Sequence, residues 1–318
     1  MKSFALLTLL ATPVAADEIW VTNERDNTNS AIDADTLQVT RTIVVGEWPL
    51  GVTFAHDYSV VYVWASANNA MQVIDPDKGE ILRDLPSGED PEQFILHPDG
   101  KHLYIANEDD AITTVVDVES RTVVAQISVG IEPEGMAVSP DGKTVITTSE
   151  TTNMAHWIDT ETQTIYANTL VDSRPRDVDF VKNGAELWVS AEIGETVTVF
   201  NTAVQTELAK IRFEIPGVLP ELIQPVGFAL TKDETTAFVA LGPANHVAVV
   251  NAETYAVERY ILTGHRVWHM AFNADETKLF ATNGGSSDVT VINVADEEAK
   301  NTIAVGRFPW GAALRVTV

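Results

Sequence analysis

Short hydrophobic runs alternate with polar turns along the chain, and the stretch from Tyr104 to Lys143 shows this pattern most clearly. It contains four β-type runs, Tyr104–Ala106, Ile112–Val116, Thr122–Val129 and Gly135–Ser139. Clusters of Asn, Asp, Gly and Pro, which favour turns, lie between and after these runs. Four short strands in about forty residues make one blade of a β-propeller, so the pattern predicts a blade at this place.

Three markers recur in one register and give the number of blades. The first is a large apolar residue in the second strand, with successive spacings of 42, 42, 42, 42, 50 and 42 residues: Trp20, Tyr62, Tyr104, Ile146, Trp188, Phe238 and Phe280. The second is an Asp or Asn that ends the third strand: Asp33, Asp75, Asp117, Asp159, Asn201, Asn251 and Asn293. The third is a Pro before the innermost strand, replaced by Val267 in one unit: Pro49, Pro91, Pro133, Pro175, Pro225 and Pro309. We predict an all-β fold, a seven-bladed β-propeller of four-stranded blades.

The strand order predicts how the ring closes. Ile19–Thr22 is a second strand with no inner strand before it, and Trp310–Val318 is an inner strand with no blade after it. We therefore expect the C-terminal strand to complete the first blade, which leaves no open sheet edge. The longer spacing places an insertion between Asn201 and Pro225, as a tolerated excursion or as a functional loop.

Residues 1–16 have the pattern of a secretory signal peptide. Lys2 is followed by the apolar run Phe4–Leu10 and by the small residues Val14–Ala16. The alternatives are a buried strand or an uncleaved anchor, but the apolar run is shorter than the roughly 20 residues that span a bilayer. We expect cleavage after Ala16, export to a bacterial periplasm, and a single domain over residues 17–318.

Charge and cysteine content exclude several classes of partner. The formal net charge is −26, which repels nucleic-acid phosphates and anionic lipids, so we expect neither nucleic acid nor membrane as a partner. The acidity either keeps a monomer soluble or steers basic partners and cations toward the protein. Because the chain has no cysteine, it cannot form disulfides, thiolate metal sites or a covalent c-type haem site.

The second strands carry a family signature. IWVTN at Ile19, LYIAN at Leu103 and LFATN at Leu279, with the turns HPDGK at His97 and SPDGK at Ser139, resemble the YVTN-family β-propeller repeat. More narrowly, the chain is similar to the β-propeller family associated with pyrroloquinoline-quinone (PQQ) dependent catabolism. That resemblance implies a periplasmic protein that accompanies a quinoprotein alcohol dehydrogenase or its cytochrome c. No cofactor is assigned: PQQ is one to consider from the resemblance, and a divalent cation is one to consider from the carboxylates described below.

Candidate site residues come from comparing equivalent positions where the chain enters the innermost strands. Two residues after the Pro marker, four units have glycine, which suits a crowded position, whereas the other three have Gln93, Asp177 and His269. The loops that enter the inner strands carry further charged and aromatic residues: Glu92, Glu132, Glu134, Arg174, Arg176, His265, Arg266, Trp268, Arg307 and Trp310. We predict that a ligand binds where these residues converge at the mouth of the channel.

Two features of this face have competing interpretations. The segment His265–His269 offers a base or ligand, an arginine clamp and an aromatic cover, or it only fills the place of the missing Pro and Gly. A ring of carboxylates in one register either pairs with nearby arginines, stays solvated or binds a cation such as Ca²⁺: Glu24, Glu108, Glu150 and Glu192.

The sequence has no nucleophile motif such as Gly-x-Ser-x-Gly. Together with the signal-peptide pattern and the family resemblance, this absence gives our first hypothesis. It is a non-catalytic periplasmic binding or accessory protein of quinoprotein alcohol oxidation, as the resemblance implies, which holds a partner protein or small ligand at the mouth. The alternative is a lactonase-like hydrolase, in which Arg176 or Arg266 holds the substrate and His269 or a glutamate acts as general base. A third is a tetrapyrrole-binding propeller with His269 as axial ligand.

Overall fold

The computed structural model describes residues 17–317, which form 28 strands in seven four-stranded antiparallel sheets. The seven-bladed β-propeller predicted from the sequence is confirmed. The predicted signal peptide lies outside the described residues. Within the described part of the chain, no helix is both long and apolar enough to cross a bilayer.

The strands are numbered in chain order. The first eleven are β1 (Glu18–Asn23), β2 (Thr28–Asp33), β3 (Gln38–Val44), β4 (Pro49–Phe54), β5 (Val61–Ala65), β6 (Ala70–Asp75), β7 (Glu80–Pro86), β8 (Pro91–Leu96), β9 (His102–Asn107), β10 (Ile112–Asp117) and β11 (Thr122–Ser128). The next eight are β12 (Pro133–Val138), β13 (Thr144–Ser149), β14 (Met154–Asp159), β15 (Thr164–Leu170), β16 (Pro175–Val181), β17 (Glu186–Ala191), β18 (Thr196–Asn201) and β19 (Thr206–Arg212). The last nine are β20 (Phe228–Leu230), β21 (Thr236–Ala240), β22 (His246–Asn251), β23 (Val257–Leu262), β24 (Val267–Phe272), β25 (Lys278–Asn283), β26 (Asp288–Asn293), β27 (Glu298–Ala304) and β28 (Pro309–Arg315).

The first blade closes the ring with strands from both ends of the described chain. Its sheet order is β28-β1-β2-β3, and β28 pairs antiparallel with β1, with Ile19 opposite Leu314 and Trp20 opposite Ala313. The other six blades are each built from four consecutive strands. The predicted closure is confirmed. In every blade the innermost strand starts at the same face, and the loops between second and third strands return to that face.

The repeated large residue of the second strand fills the space between neighbouring sheets. Trp20, Tyr104, Trp188, Phe238 and Phe280 are all fully or almost fully buried. Trp20 packs edge-on against Phe54 of the next blade with ring centroids 5.5 Å apart. Each such ring stabilises the fold by about 2–3 kcal/mol, so the marker is required for packing rather than for binding.

The Asp or Asn marker is explained by the turn between third and fourth strands. Asp117 Oδ1 accepts hydrogen bonds from the backbone N–H groups of Glu119 and Ser120, and Arg121 then adopts a left-handed conformation with φ of 61°. This is the side-chain-capped turn for which Asp and Asn are favoured. The recurring Asp or Asn is therefore explained by the turn that its side chain caps.

The insertion is packed onto the fold. It lies in the connection between β19 and β20, where Ile215 and Ile223 are buried in the outer core, and Tyr260 Oη accepts a hydrogen bond from the Glu214 backbone N–H at 2.8 Å. The inner strand of this blade is shortened to Phe228–Leu230. The predicted long connection is confirmed, and its buried residues indicate a structural role.

Candidate functional site

Backbone geometry brings two positions of each blade to the channel mouth. The residue before the marker Pro is left-handed, as in Asp90, Glu132 and Arg174, and this bend turns the chain into the channel. Its carbonyl accepts a hydrogen bond from the first residue after the second strand, as in Glu150 N–H to Glu132 O at 2.8 Å. In each such blade, this bond holds the loop that enters the inner strand next to the residue that contributes to the carboxylate ring.

The mouth encloses a cavity of about 300 Å³, at the lower end of the range for small-molecule sites. Its lining comes from the positions on either side of the marker Pro and from the carboxylate ring: Glu24, Trp48, Leu50, Ser66, Asp90, Glu92, Glu108, Glu134, Arg174, Arg176, Trp268 and Trp310. Five carboxylates thus face two guanidiniums in this lining. The sequence comparison placed Glu134, Arg174, Arg176, Trp268 and Trp310 together, and the structure brings them to one cavity.

Arg176 is the centre of an ion-pair network. Its Nη1 contacts Glu150 Oε1, and its Nη2 lies 3.5 Å from Glu134 Oε1. Its Nε lies 3.8 Å from Glu192 Oε2. Although burial opposes its charge, the glutamates around it raise the pKa of Arg176. Arg176 is therefore a fixed cation already shared among several carboxylates.

Arg174 and Arg266 extend the network outward. Arg174 Nε lies 3.0 Å from Glu150 Oε2 and 3.1 Å from Glu192 Oε2, and Arg266 Nη2 donates to Glu192 Oε1 at 3.3 Å. The Arg266 guanidinium also stacks 4.4 Å from the centre of the Trp268 ring. Each of the predicted arginine clamps is therefore already paired with glutamate, which disfavours their use for an anionic ligand such as PQQ.

The carboxylate ring divides into two parts. Glu150 and Glu192 pair with arginines, whereas Glu24 and Glu108 line the cavity without an ion pair to arginine among the described residues. Of the three interpretations of the ring, salt bridging holds for the first pair only.

The opposite side of the mouth concentrates negative charge. Asp90, Glu92 and Glu108 each place one carboxylate oxygen within 4.8 Å of the others, and Glu108 forms a second such group with Glu132 and Glu150. Burial, and then repulsion from Glu134, raises the pKa of Glu92 well above its usual value. Burial likewise raises the pKa values of Asp90 and Glu108. Oxygen donors at this spacing suit a divalent cation or an ammonium or guanidinium group.

Glu134 joins the two sides of the mouth. It is 2% exposed, and its Oε1 accepts no hydrogen bond, with Arg176 at 3.5 Å as its nearest cation. Burial outweighs the attraction of Arg176 and raises the pKa of Glu134 to about 8. Arg176 is shared with Glu150 and Glu192, so it does not offset the burial of Glu134, and a cation placed in the mouth would favour the ionised carboxylate.

Below the mouth, glycine and larger residues alternate around the channel. The order is Gly51, Gln93, Gly135, Asp177, Gly227, His269 and Gly311. A Cβ on Gly135 would lie 2.5 Å from the Arg176 carbonyl oxygen, and a Cβ on Gly227 would lie 2.7 Å from His269 Nδ1. Each of the four glycines lies against the neighbouring blade, in three cases against a backbone carbonyl, so the crowding predicted at this position is confirmed.

Because the number of blades is odd, glycine and larger residues cannot alternate all the way around the channel. Gly311 and Gly51 are therefore neighbours, and next to them the channel holds a cavity of about 130 Å³, also lined by Gln93, His269 and Trp310. This volume is well below that of ordinary small-molecule sites, so a tetrapyrrole has no room beside His269.

His269 and Asp177 are held by their surroundings. The His269 ring lies 4.1 Å from that of Trp310, centroid to centroid, and burial, then the charge of Arg176, lowers its pKa to about 3. Such a ring is neutral and a weak base near pH 7. Asp177 accepts hydrogen bonds from the backbone N–H groups of Phe228 and Val178, both at 3.0 Å, and burial raises its pKa to about 7.

Two predicted site residues lie at the outer rim of the mouth. His265 is exposed, and its backbone N–H donates to Ser286 Oγ. Arg307 pairs with Asp26 on the surface, with 2.5 Å between Nε and Oδ1. Neither lines the mouth cavity or the channel cavity.

The sequence comparison overlooked Trp48 and Asp90. Both immediately precede the marker Pro, in the register of Glu132, Arg174 and Arg266, and both line the cavity. Trp48 is 58% exposed, whereas the other tryptophans among the described residues are buried. Comparing the position before Pro across all blades would have found both.

A larger concavity of about 680 Å³ lies between blades 1 and 2, on the face opposite the mouth. There Arg41 and Arg315 pair with Glu18 at 2.8 and 3.2 Å, and Arg315 also contacts Asp77. The charges of these residues are paired with one another across the junction between the two blades. The mouth, with its uncompensated carboxylates, is the stronger candidate site.

Fold and site together define a seven-bladed β-propeller with an acidic, tryptophan-flanked channel mouth. The family model described as YNCE-like beta-propeller matches residues 2–200, and the chain belongs to that family. This agrees with the resemblance to YVTN-type repeats. No sequence among curated proteins matches significantly.

Solved structures agree on the fold. The chain is similar to Kuenenia stuttgartiensis hydrazine synthase, with a TM-score of 0.80 and 19% identity over 92% of this chain and 99% of that chain. A functionally unknown protein from Desulfotomaculum acetoxidans DSM 771 gives a TM-score of 0.79 and 16% identity over 93% and 98%. Dihydro-heme d1 dehydrogenase NirN in complex with DHE gives 0.67 and 12% over 93% and 65%. At these identities the likeness concerns the scaffold alone.

Proposed function

We propose that this protein is a non-catalytic binding protein whose channel mouth docks a basic group of a partner protein. The observation that carries the proposal is the excess of carboxylates at the mouth, together with arginines that are already paired. A cation placed among Asp90, Glu92 and Glu108 would relieve their mutual repulsion. The exposed ring of Trp48 at the same cavity supplies the aromatic surface that protein interfaces favour.

The cellular setting is part of the proposal. The pattern of residues 1–16 supports export to the periplasm. The resemblance to propellers of PQQ-dependent catabolism supports a quinoprotein dehydrogenase or its cytochrome c as the partner, whereas the paired arginines speak against free PQQ as the ligand. The lactonase-like alternative has no comparable support, since His269 is a weak base and the arginines are engaged.

Capture from periplasmic extract tests the proposal. Mature wild-type protein on a support should retain a partner that the variant Glu92→Gln/Glu108→Gln does not retain. The matched control is Glu119→Gln/Glu161→Gln, which makes the same charge change in exposed turns on the opposite face and should retain the partner. Equal capture by all three proteins, or by none, would refute the proposal.

The pH dependence gives a second, sharper signature. Because the pKa values of Glu92, Glu108 and Glu134 are raised, a cation must displace protons, and the affinity for the partner should rise from pH 6 to 8.5. Attraction by ordinary surface carboxylates is complete above about pH 5.5. A pH-independent affinity over this range would place the contact outside the mouth.

A further inference from the structure

We propose that the turn joining the first two strands of blade 3 binds a divalent transition-metal ion through His97, Asp99 and His102. This turn connects β8 to β9 on the face opposite the mouth. One ligand atom from each of the three residues lies within 4.8 Å of the other two. Asp99 Oδ2 lies 3.1 Å from His97 Nδ1 and 2.6 Å from His102 Nδ1. Nitrogen and oxygen ligands about 2.0–2.2 Å from one ion are separated by about 3 Å, so little movement is needed.

The surroundings already orient the His97 ring as a ligand. His97 Nε2 lies 2.7 Å from the Gly142 carbonyl oxygen in the next blade. Because a carbonyl only accepts hydrogen bonds, Nε2 carries the proton of the neutral ring and Nδ1 keeps its lone pair toward the cluster. A ring N–H donated to a backbone carbonyl is the usual outer support of a metal-binding histidine.

The carboxylate is oriented in the same way. Asp99 Oδ1 accepts backbone hydrogen bonds from Lys101 at 2.7 Å and His102 at 3.1 Å, which turns Oδ2 toward the two imidazoles. In the structure, His97 Nδ1 accepts a hydrogen bond of 3.2 Å from the Asp99 backbone N–H, and His102 Nδ1 bonds Asp99 Oδ2. A bound ion would replace the proton between His102 and Asp99, which would move to His102 Nε2 or, from a doubly protonated ring, to solvent, and the weak bond to His97 Nδ1 would be given up.

The fold does not need these histidines. In other blades a small side chain at the position of His97 donates to the turn aspartate, over distances of 2.6–2.8 Å: Ser139 to Asp141, Thr231 to Asp233 and Asn273 to Asp275. The blade 4 turn reads SPDGKT where blade 3 reads HPDGKH, so the two turns differ only at the two histidine positions. Blade 3 thus keeps the structural aspartate and adds two imidazoles beside it.

The donor set selects the class of ion. Two imidazole nitrogens and one carboxylate oxygen suit Zn²⁺, Cu²⁺ or Ni²⁺, whereas Ca²⁺ and Mg²⁺ prefer sites built from oxygen donors. The side chains of Asp99 and His102 are 33% and 32% exposed, so water or a further ligand can complete the coordination from the solvent side. The site is therefore open and separate from the acidic mouth.

Titration of the tag-free mature protein with CuCl₂ tests this site. At one equivalent, electron paramagnetic resonance should show coupling to imidazole nitrogens, and calorimetry should show one ion bound. His97→Ser/His102→Thr, which installs the blade 4 turn, should lose the nitrogen coupling and weaken this binding at least tenfold. His56→Gln is the matched control, because His56 bonds only the His97 carbonyl, at 3.2 Å, and it should bind like wild type.

A second, milder variant separates loss of metal binding from loss of the fold. His102→Gln removes the ring that bonds Asp99 but leaves the His97–Gly142 bond, and it should also lose one nitrogen coupling. Melting curves in metal-free buffer show whether each variant is folded. Unchanged binding and coupling in folded His97→Ser/His102→Thr would overturn the proposal, as would a wild-type spectrum without nitrogen coupling. Binding by the mouth carboxylates would give an oxygen-only spectrum and would equally refute it.

Discussion

The protonation state of Glu134 leads to the most quantitative prediction. Its carboxyl is almost fully buried, Oε1 accepts no hydrogen bond, and burial raises its pKa to about 8 against a usual value of 4.5. The folded protein therefore keeps a proton that the unfolded chain releases. The contribution of Glu134 to stability therefore falls as the pH rises from about 4.5 to 8, because over that window its carboxyl binds more protons in the folded state than in the unfolded chain. Glu134→Gln, a nearly isosteric neutral side chain, should remove this loss.

The size of the effect follows from the shift. One pKa unit corresponds to 1.36 kcal/mol, so a carboxyl acting alone would lose about 5 kcal/mol across the window. Glu134 does not act alone, since Arg176 attracts it and Glu150 and Glu108 repel it. Because interacting carboxylates share their protons, we expect less than half of this loss, about 2 kcal/mol, to belong to Glu134. The variant should equal wild type at pH 4.5 and exceed it by about 2 kcal/mol at pH 8.5.

Urea unfolding followed by tryptophan fluorescence at pH 4.5, 6.5 and 8.5 measures the difference. Glu161→Gln, an exposed glutamate in a turn on the opposite face, is the control and should follow wild type at every pH. A Glu134→Gln protein that is less stable than wild type at pH 8.5 would show that the ionised carboxylate stabilises the fold by its pairing with Arg176. That result would refute the account of an under-compensated mouth.

Three further predictions concern the scaffold. Gly135→Ala should lower stability by about 1–3 kcal/mol in thermal melts, because the new Cβ would lie 2.5 Å from the Arg176 carbonyl oxygen; an unchanged melt would contradict the crowding. Asp177→Ala should cost a similar amount, because the Phe228 backbone N–H loses its acceptor inside the channel, and equal stability would show that water replaces it. Removing residues 309–318 should abolish cooperative unfolding, since β1 loses its partner strand; a truncated protein that melts like the full chain would contradict the ring closure.

The fold could be predicted from the sequence because each marker has a local cause. The apolar residue of the second strand is needed to fill the space between blades, and the Asp or Asn is needed to cap a turn. Within Tyr104–Lys143 the predicted run Ile112–Val116 differs from the observed strand by one residue at its end. The run predicted from Gly135 begins two residues earlier, at Pro133, because proline can start a strand whose first N–H has no partner.

The site could be predicted only in part. Register alone placed Arg176, Glu134 and Trp268 at one face, because equivalent positions in a ring must converge. Which arginine pairs with which glutamate depends on side-chain conformations across three blades, and no sequence spacing encodes that. Crowding at the four channel glycines was predicted, but the contacts that cause it come from the neighbouring blade, and no sequence spacing encodes them.

Site-specific photo-crosslinking tests the central claim, that a partner docks at the channel mouth, most directly. A photo-reactive phenylalanine in place of Trp48 should crosslink one periplasmic protein, and the product should disappear when Glu92→Gln/Glu108→Gln is added. The same probe in place of Val204, which is 66% exposed in a turn on the opposite face, should give no such product. Crosslinking from position 204 and not from position 48 would contradict the account.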